Sequence, residues 1–287
     1  MASTLPEGFD RTFTHHTADA NGVRLHYVTG GSGEPLVLLH GWPLTWYSWR
    51  KVMPALAERF TVIAPDLRGL GDSGRPPDGR YDKAAAAEDV FQLARGLGHE
   101  RVRLMAHDMG VPVAYAYAAG HRDAVERLVV LDVPLNGFGL DEFLVQHKLW
   151  HTWLFQVPGL PETLTAGHER EFLSHFYPLY NPQAITEGDI DEYVRCYAQP
   201  GAMHAGFEYY RAYPLDERRN REYAQTKLAI PVLALGGELS GGGAPFASFA
   251  RLATDVRGGV IAGCGHFVPE EQPDALLAQA LPFLTGS

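Results

Sequence analysis

The chain is short of cysteine, of basic runs and of long apolar stretches, and each shortage excludes something. Its two cysteines, Cys196 and Cys264, form no C-x-x-C pair, so no zinc ribbon or disulfide framework is encoded, and both are expected as buried thiols. No segment nears the ~20 apolar residues of a membrane-spanning helix. Met1 to Asp10 lacks the basic-then-apolar order of a signal peptide. The expectation is a cytoplasmic chain with no membrane contact. The net charge of -10 and the missing Lys/Arg clusters disfavour a nucleic-acid partner, because an acidic surface repels a phosphate backbone. H-E-x-x-H and G-x-x-x-x-G-K-[ST] are both missing. The glycine-rich stretch Asp66 to Ser73 has no acidic residue placed for a dinucleotide ribose and reads as a structural turn. Neither a metal nor an organic cofactor is expected.

What is present is an ordinary globular composition, 46% hydrophobic and 20% charged over 287 residues. That length suits one large α/β domain with an insertion, or two ordinary domains. Strand-like and helix-like stretches alternate at first: Val23 to Val28, Pro35 to Leu39, a helix over Arg50 to Arg59, then Thr61 to Ala64. An amphipathic helix follows over Lys83 to Leu97, then Val102 to Met105, a helix over Pro112 to Ala119, and Leu128 to Leu131. This rhythm predicts a mostly parallel sheet with helices on both faces. From about Asn136 to Lys227 the chain turns rich in aromatics, His and Pro, with helical periodicity and no convincing strand. Strands resume at Ile230 to Leu235 and Gly259 to Ile261, and Pro269 to Phe283 reads as a closing helix. The division expected is an α/β core over 1–135 and 228–287 with a helical cap over 136–227. A helical insertion between two strands of an open α/β sheet would cover the strands' carboxyl ends, where such folds bind ligands.

Ala106-His107-Asp108-Met109-Gly110 follows an apolar strand and opens a helix. The pattern small-x-nucleophile-x-small marks a sharp turn that lifts the central side chain above the sheet. Here that side chain is Asp, not Ser. A carboxylate gains little by attacking an activated acyl group, but it is a good nucleophile toward carbon, giving an alkyl ester. Taken alone, the five residues could equally be a β–α loop with a capping Asp. His40-Gly41-Trp42-Pro43, after Leu36 to Leu39, has the form of an oxyanion loop. Gly41 allows a tight turn, and the N–H groups of Trp42 and Met109 are the expected donors. His40 is expected to be structural.

Among 13 histidines, His266 is set apart by its place in Gly263-Cys264-Gly265-His266, directly after the last strand. The chain order nucleophile, acid, His is the one such folds use. His266 would take the proton of the water that hydrolyses the ester. Two acids could orient it: Asp132, just past Leu128 to Leu131, and Glu238, after the next-to-last strand. Asp132 is favoured, because the second loop would place its acid nearer Ser240.

With these stretches in view, the chain resembles the epoxide hydrolases of the α/β-hydrolase fold. The residues that carry the likeness are His40-Gly41-Trp42-Pro43, Trp46-Tyr47-Ser48-Trp49-Arg50 and His107-Asp108-Met109-Gly110. Trp150-His151, Glu162 to Phe176, Phe207 to Ala212 and Gly263 to Glu271 resemble the Cif-like subgroup in particular. The resemblance implies an epoxide and water as the small-molecule partners, with Asp108 as nucleophile and His266 with Asp132 activating water. It also implies two cap donors to the epoxide oxygen. The subgroup pairs a His with a Tyr, at positions matching His151 and Tyr210. Tyr209 is adjacent, and the choice rests on the Tyr-Arg-Ala match. The chain departs from the subgroup near Gln272, where a second cysteine is missing, so nothing about secretion or a host target carries over. Trp42, Trp150, Phe155 and Tyr209 are expected to line an apolar pocket, in a monomer or homodimer.

The competing chemistry is dehalogenation on the same Asp. Haloalkane dehalogenases place Trp directly after the nucleophile, where this chain has Met109. Haloacetate dehalogenases place Arg one and four positions on, at Met109 and Pro112 here, and His-Trp in the cap where this chain has His151-Thr152. A non-catalytic binding protein of the same fold would be expected to have lost a triad member, and none is lost.

Overall fold

The computed structural model describes residues 5–177, 181 and 183–286. Eight strands form one sheet: β1 (Phe13–Ala20), β2 (Val23–Gly30), β3 (Glu34–Leu39), β4 (Phe60–Pro65), β5 (Val102–His107), β6 (Val125–Leu131), β7 (Leu228–Gly237) and β8 (Ala253–Ile261). Their order is β1-β2-β4-β3-β5-β6-β7-β8. β2 runs antiparallel to β1 and β4, and every pairing from β4 to β8 is parallel. The central strands are near-continuous apolar runs because both faces are covered, and Leu36 to Leu39 and Leu128 to Leu131 are all buried.

β1 was not legible as a strand. Its sequence, Phe-Thr-His-His-Thr-Ala-Asp-Ala, is mostly polar, and its interior is largely exposed along the sheet edge. The signal for it lay in the turn. Ala20 pairs with Val23 across Asn21-Gly22, both at positive φ (49° and 78°), the two-residue turn that matches hairpin twist. The helix expected over Arg50 to Arg59 shrinks to a 3-10 turn, Trp46–Trp49, and Met53–Ala57. Pro54 cannot donate an amide to a preceding turn and so restarts the helix. The closing helix is broken at Gln272, whose extended φ of -139° is what a residue before proline prefers, giving Val268–Glu271 and Pro273–Thr285.

Between β6 and β7 the described residues form helices and no strand, the longest being Glu187–Tyr197, Ala202–Arg211 and Tyr213–Tyr223. Glu187–Tyr197 opens with a capping box, Thr186 and Asp189 each bonding the other's backbone N–H. No helix among the described residues is long and apolar enough to cross a membrane.

The strand order positions the site. The chain runs from β3 outward to β4, then returns to place β5 on the other side of β3. At such a reversal the loops leaving two neighbouring strands diverge and open a crevice at their carboxyl ends. The loop after β3 carries His40 to Pro43, and the loop after β5 carries Asp108.

Candidate active site

Asp108 sits at φ +50°, in the left-handed region that non-glycine residues seldom occupy. The turn exists because its neighbours are small. A Cβ on Gly41 would lie 2.3 Å from the Asp108 carboxylate, and one on Gly110 would lie 2.3 Å from the Leu39 carbonyl. The N–H of Trp42 donates to Asp108 Oδ1 at 2.9 Å. The other carboxylate oxygen, Oδ2, lies 3.6 Å from His266 Nε2.

Behind His266 is a dense set of bonds. Nδ1 is 2.6 Å from Asp132 Oδ2. Asp132 is fully buried and also accepts from Gly237 N, Gly241 N and the Ser240 hydroxyl, all within 2.9 Å. Burial opposes its charge, but the His266 hydrogen bond and charge, with the Gly237 amide and the nearby His107, together outweigh that and hold the carboxyl below its ordinary range. For His266, burial lowers the pKa; the bond to Asp132, then the charges of Asp132 and Asp108, overcome this and raise it to about 9. Glu238, the other candidate acid, binds Gly263 N from an exposed position and takes no part.

His40 bonds its neighbour's carbonyl through Nδ1 and accepts from Leu67 N at 3.0 Å, so it braces the loop. The stretch after β4 is likewise structural: Asp66 is buried and accepts from Trp46 N and Asp72 N.

A cavity with about 800 Å³ of empty space, partly open to solvent, lies over the carboxylate. Its core side holds Trp42, Asp108, Met109, Pro112 and His266, and its cap side His151, Thr152, Tyr210 and Tyr213. An apolar arm is made by Leu140, Phe143, Leu144 and Leu149. Among the described residues no Lys or Arg lines it. Burial drives the His151 pKa down to about 4, the Asp108 charge only partly offsetting it, so the ring is neutral at pH 7. Burial first, then the Asp108 charge, pushes the Tyr210 and Tyr213 phenols well above their ordinary value.

Trp42, Asp108, Met109, His151, Tyr210 and His266 thus face one space, with Asp132 behind. Three expected pocket residues do not line it. Tyr209 neighbours Tyr210 on a helix, where successive side chains diverge by about 100°, and its hydroxyl donates to the Arg68 carbonyl. Phe155 is fully buried within the cap, its ring 4.8 Å from Trp42 and 5.0 Å from Tyr210. Trp150 is half exposed.

Two contributors were missed by sequence reasoning. His107, the residue before the nucleophile, donates from Nε2 to the His266 carbonyl at 2.7 Å, burial keeping its pKa near 4 and the ring neutral. Tyr213 opens the helix Tyr213–Tyr223 and joins Tyr210 in the lining across the break at Ala212, and no sequence signal pointed to it.

Residues 34–273 match the alpha/beta hydrolase fold family. A soluble epoxide hydrolase of Corynebacterium sp. (strain C12) is 45% identical over 279 residues, 94% of this chain and 96% of that protein. The solved structure of the epoxide hydrolase CorEH, without ligand, superposes with a TM-score of 0.89 at 42% identity, covering 96% of this chain and 99% of that one. A fluoroacetate dehalogenase of Burkholderia sp. is 33% identical over 72% of this chain and 70% of its own. The chain belongs to the α/β-hydrolase fold family, among its epoxide hydrolases.

Proposed function

We propose that the protein converts neutral epoxides to vicinal diols through an ester on Asp108, with residues 136–227 serving as a lid over the 1–135 and 228–287 core. The observation that carries this is the facing of an Asp108 carboxylate by His151 and Tyr210 across one cavity.

In the first step Asp108 Oδ2 attacks an epoxide carbon. The C–O bond breaks, and the oxygen takes a proton from the Tyr210 phenol while the neutral His151 ring donates a hydrogen bond. Alkylation removes the Asp108 charge, so the His266 imidazolium loses one of its carboxylate supports and becomes more acidic. Its proton restores the phenol. Neutral His266 then draws a proton from water, and the hydroxide attacks Asp108 Cγ. Oδ1 becomes the oxyanion, already facing the Trp42 N–H, with the Met109 N–H as second donor. Collapse breaks the Cγ–Oδ2 bond, and the diol leaves with the proton from His266. The carboxylic acid left on Asp108 ionises and returns the imidazolium. Epoxide and water are consumed, and a diol is the sole product.

The lining argues for neutral substrates with an apolar substituent. Met109 and Pro112, where haloacetate dehalogenases carry arginines, both face the cavity, and among the described residues no Lys or Arg lines it to hold a substrate carboxylate.

The test is intact-protein mass spectrometry on His266→Gln, exposed separately to styrene oxide and to bromoacetate. A mass gain of the whole epoxide, mapped to the peptide holding Asp108, is expected. Labelling by bromoacetate alone, with bromide released, would move the protein to the dehalogenases.

A further inference from the structure

The turn that carries His266 is clamped by a carboxylate with no part in the triad. Glu271 is buried at the end of the short helix Val268–Glu271. Its Oε2 accepts from Gly265 N and its Oε1 from Phe267 N, each at 2.8 Å. One carboxylate therefore grips the peptide units on both sides of His266. The His266 carbonyl is held in turn by His107 Nε2 and by Val268 N at 2.9 Å. The preceding residue, Glu270, points the other way, into a buried network. Its Oε1 accepts from Arg50 at 2.5 Å and from the Tyr193 hydroxyl at 2.6 Å, while Arg50 also pairs with Asp189 at 2.7 Å. Tyr193 and Asp189 lie on Glu187–Tyr197, so the helix bearing Glu271 is itself pinned between core and cap.

We infer that Glu271 is a positioning residue for the water-activating step: its ionised carboxylate fixes the two amides bracketing His266 and so holds Nε2 over the Asp108 ester. Two amide donors to one ionised carboxylate are charge-assisted bonds with a single good geometry, and a shift of about 1 Å in a catalytic group can cost on the order of 10²-fold. Glu271 also adds a negative charge near the imidazole, supporting its protonated form. The charged and titratable groups that face His266 are Asp132 and Asp108 from the core loops, His107 from β5, His151 from the cap and Glu271 from its own turn. The inference rests on His266 being the base.

Single-turnover reaction of the whole protein with styrene oxide, quenched and weighed, separates ester formation from ester decay. With Glu271→Gln, formation should stay within about twofold while decay slows by roughly 10²-fold. The pH midpoint of decay should also move lower, because removing an anion makes the imidazolium more acidic. Glu271→Asp keeps the charge but falls short of the two amides, so its midpoint should return while its decay stays slow. Should the Gln variant fail to fold, the Asp variant decides by the same two numbers. Wild-type decay at an unshifted midpoint, or formation and decay falling together, would overturn the inference. An unlabelled His266→Gln protein would instead overturn the ester mechanism and leave the clamp to be judged by the His266 imidazole pKa from NMR titration.

Discussion

The two walls of the cavity are built on opposite principles. On the core wall every reacting group is committed before a ligand arrives: Asp108 to Trp42 N, His266 to Asp132, and Asp132 to three further donors. On the cap wall, among the described residues, the side chains of His151, Tyr210 and Tyr213 make ring contacts but no hydrogen bonds. Uncommitted donors in a largely apolar setting are costly in a finished core. They are what an oxygen that acquires charge during a reaction would use. Under the proposed mechanism, the first wall would perform the covalent steps and the second would respond to the substrate.

The largest test of that division is Asp108→Ser, which should lower epoxide turnover by roughly 10⁴- to 10⁶-fold, measured as diol formation. Appreciable turnover would break the core-wall reading. Next are Tyr210→Phe and His151→Phe, each expected to slow ester formation by about 10²- to 10³-fold while leaving decay of preformed ester nearly unchanged. If decay slows equally, the walls do not divide the labour. Arg50→Met removes the buried guanidinium that pairs with both Glu270 and Asp189, so a destabilisation of about 3–5 kcal/mol is expected in urea unfolding. The acid limb of stability should follow the neutral histidines. The unfolded chain takes up protons as pH falls through about 6.5, whereas His107 and His151 resist until about 4. Stability should therefore fall between those values, with a shallower slope in His151→Phe, read from urea midpoints against pH. The smallest effect belongs to Trp150→Ala, expected to change turnover by less than about threefold, since its side chain is half in solvent.

Legibility followed the range of the physics involved. The parallel strands were readable because burial on both faces writes a continuous apolar run, as in Leu128 to Leu131. The elbow was readable because its close approaches require small residues at fixed spacing. β1 was not readable from its own residues, since an edge strand owes its structure to its partner and to the Asn21-Gly22 turn. Loop position already favoured Asp132 over Glu238, but the bonds that hold it, from Ser240 and the amides of Gly237 and Gly241, cross from one loop to another and leave no pattern in either. Tyr209 and Phe155 shared the aromatic character of the cavity lining, but direction on a helix, not character, decides which ring meets a substrate.

The sheet ends on both sides in its least apolar strands, β1 with Thr14, His15, His16 and Asp19, and β8 with Asp255, Arg257 and the pair Gly258-Gly259. An unpaired strand offers a row of amides and carbonyls to any similar strand that drifts past. Charges on that row, and glycines that leave it without side chains to pack, make such a match unrewarding. The eight strands are thereby discouraged from becoming sixteen, and two copies of this chain that meet at high concentration are steered away from fusing their sheets into a growing ribbon.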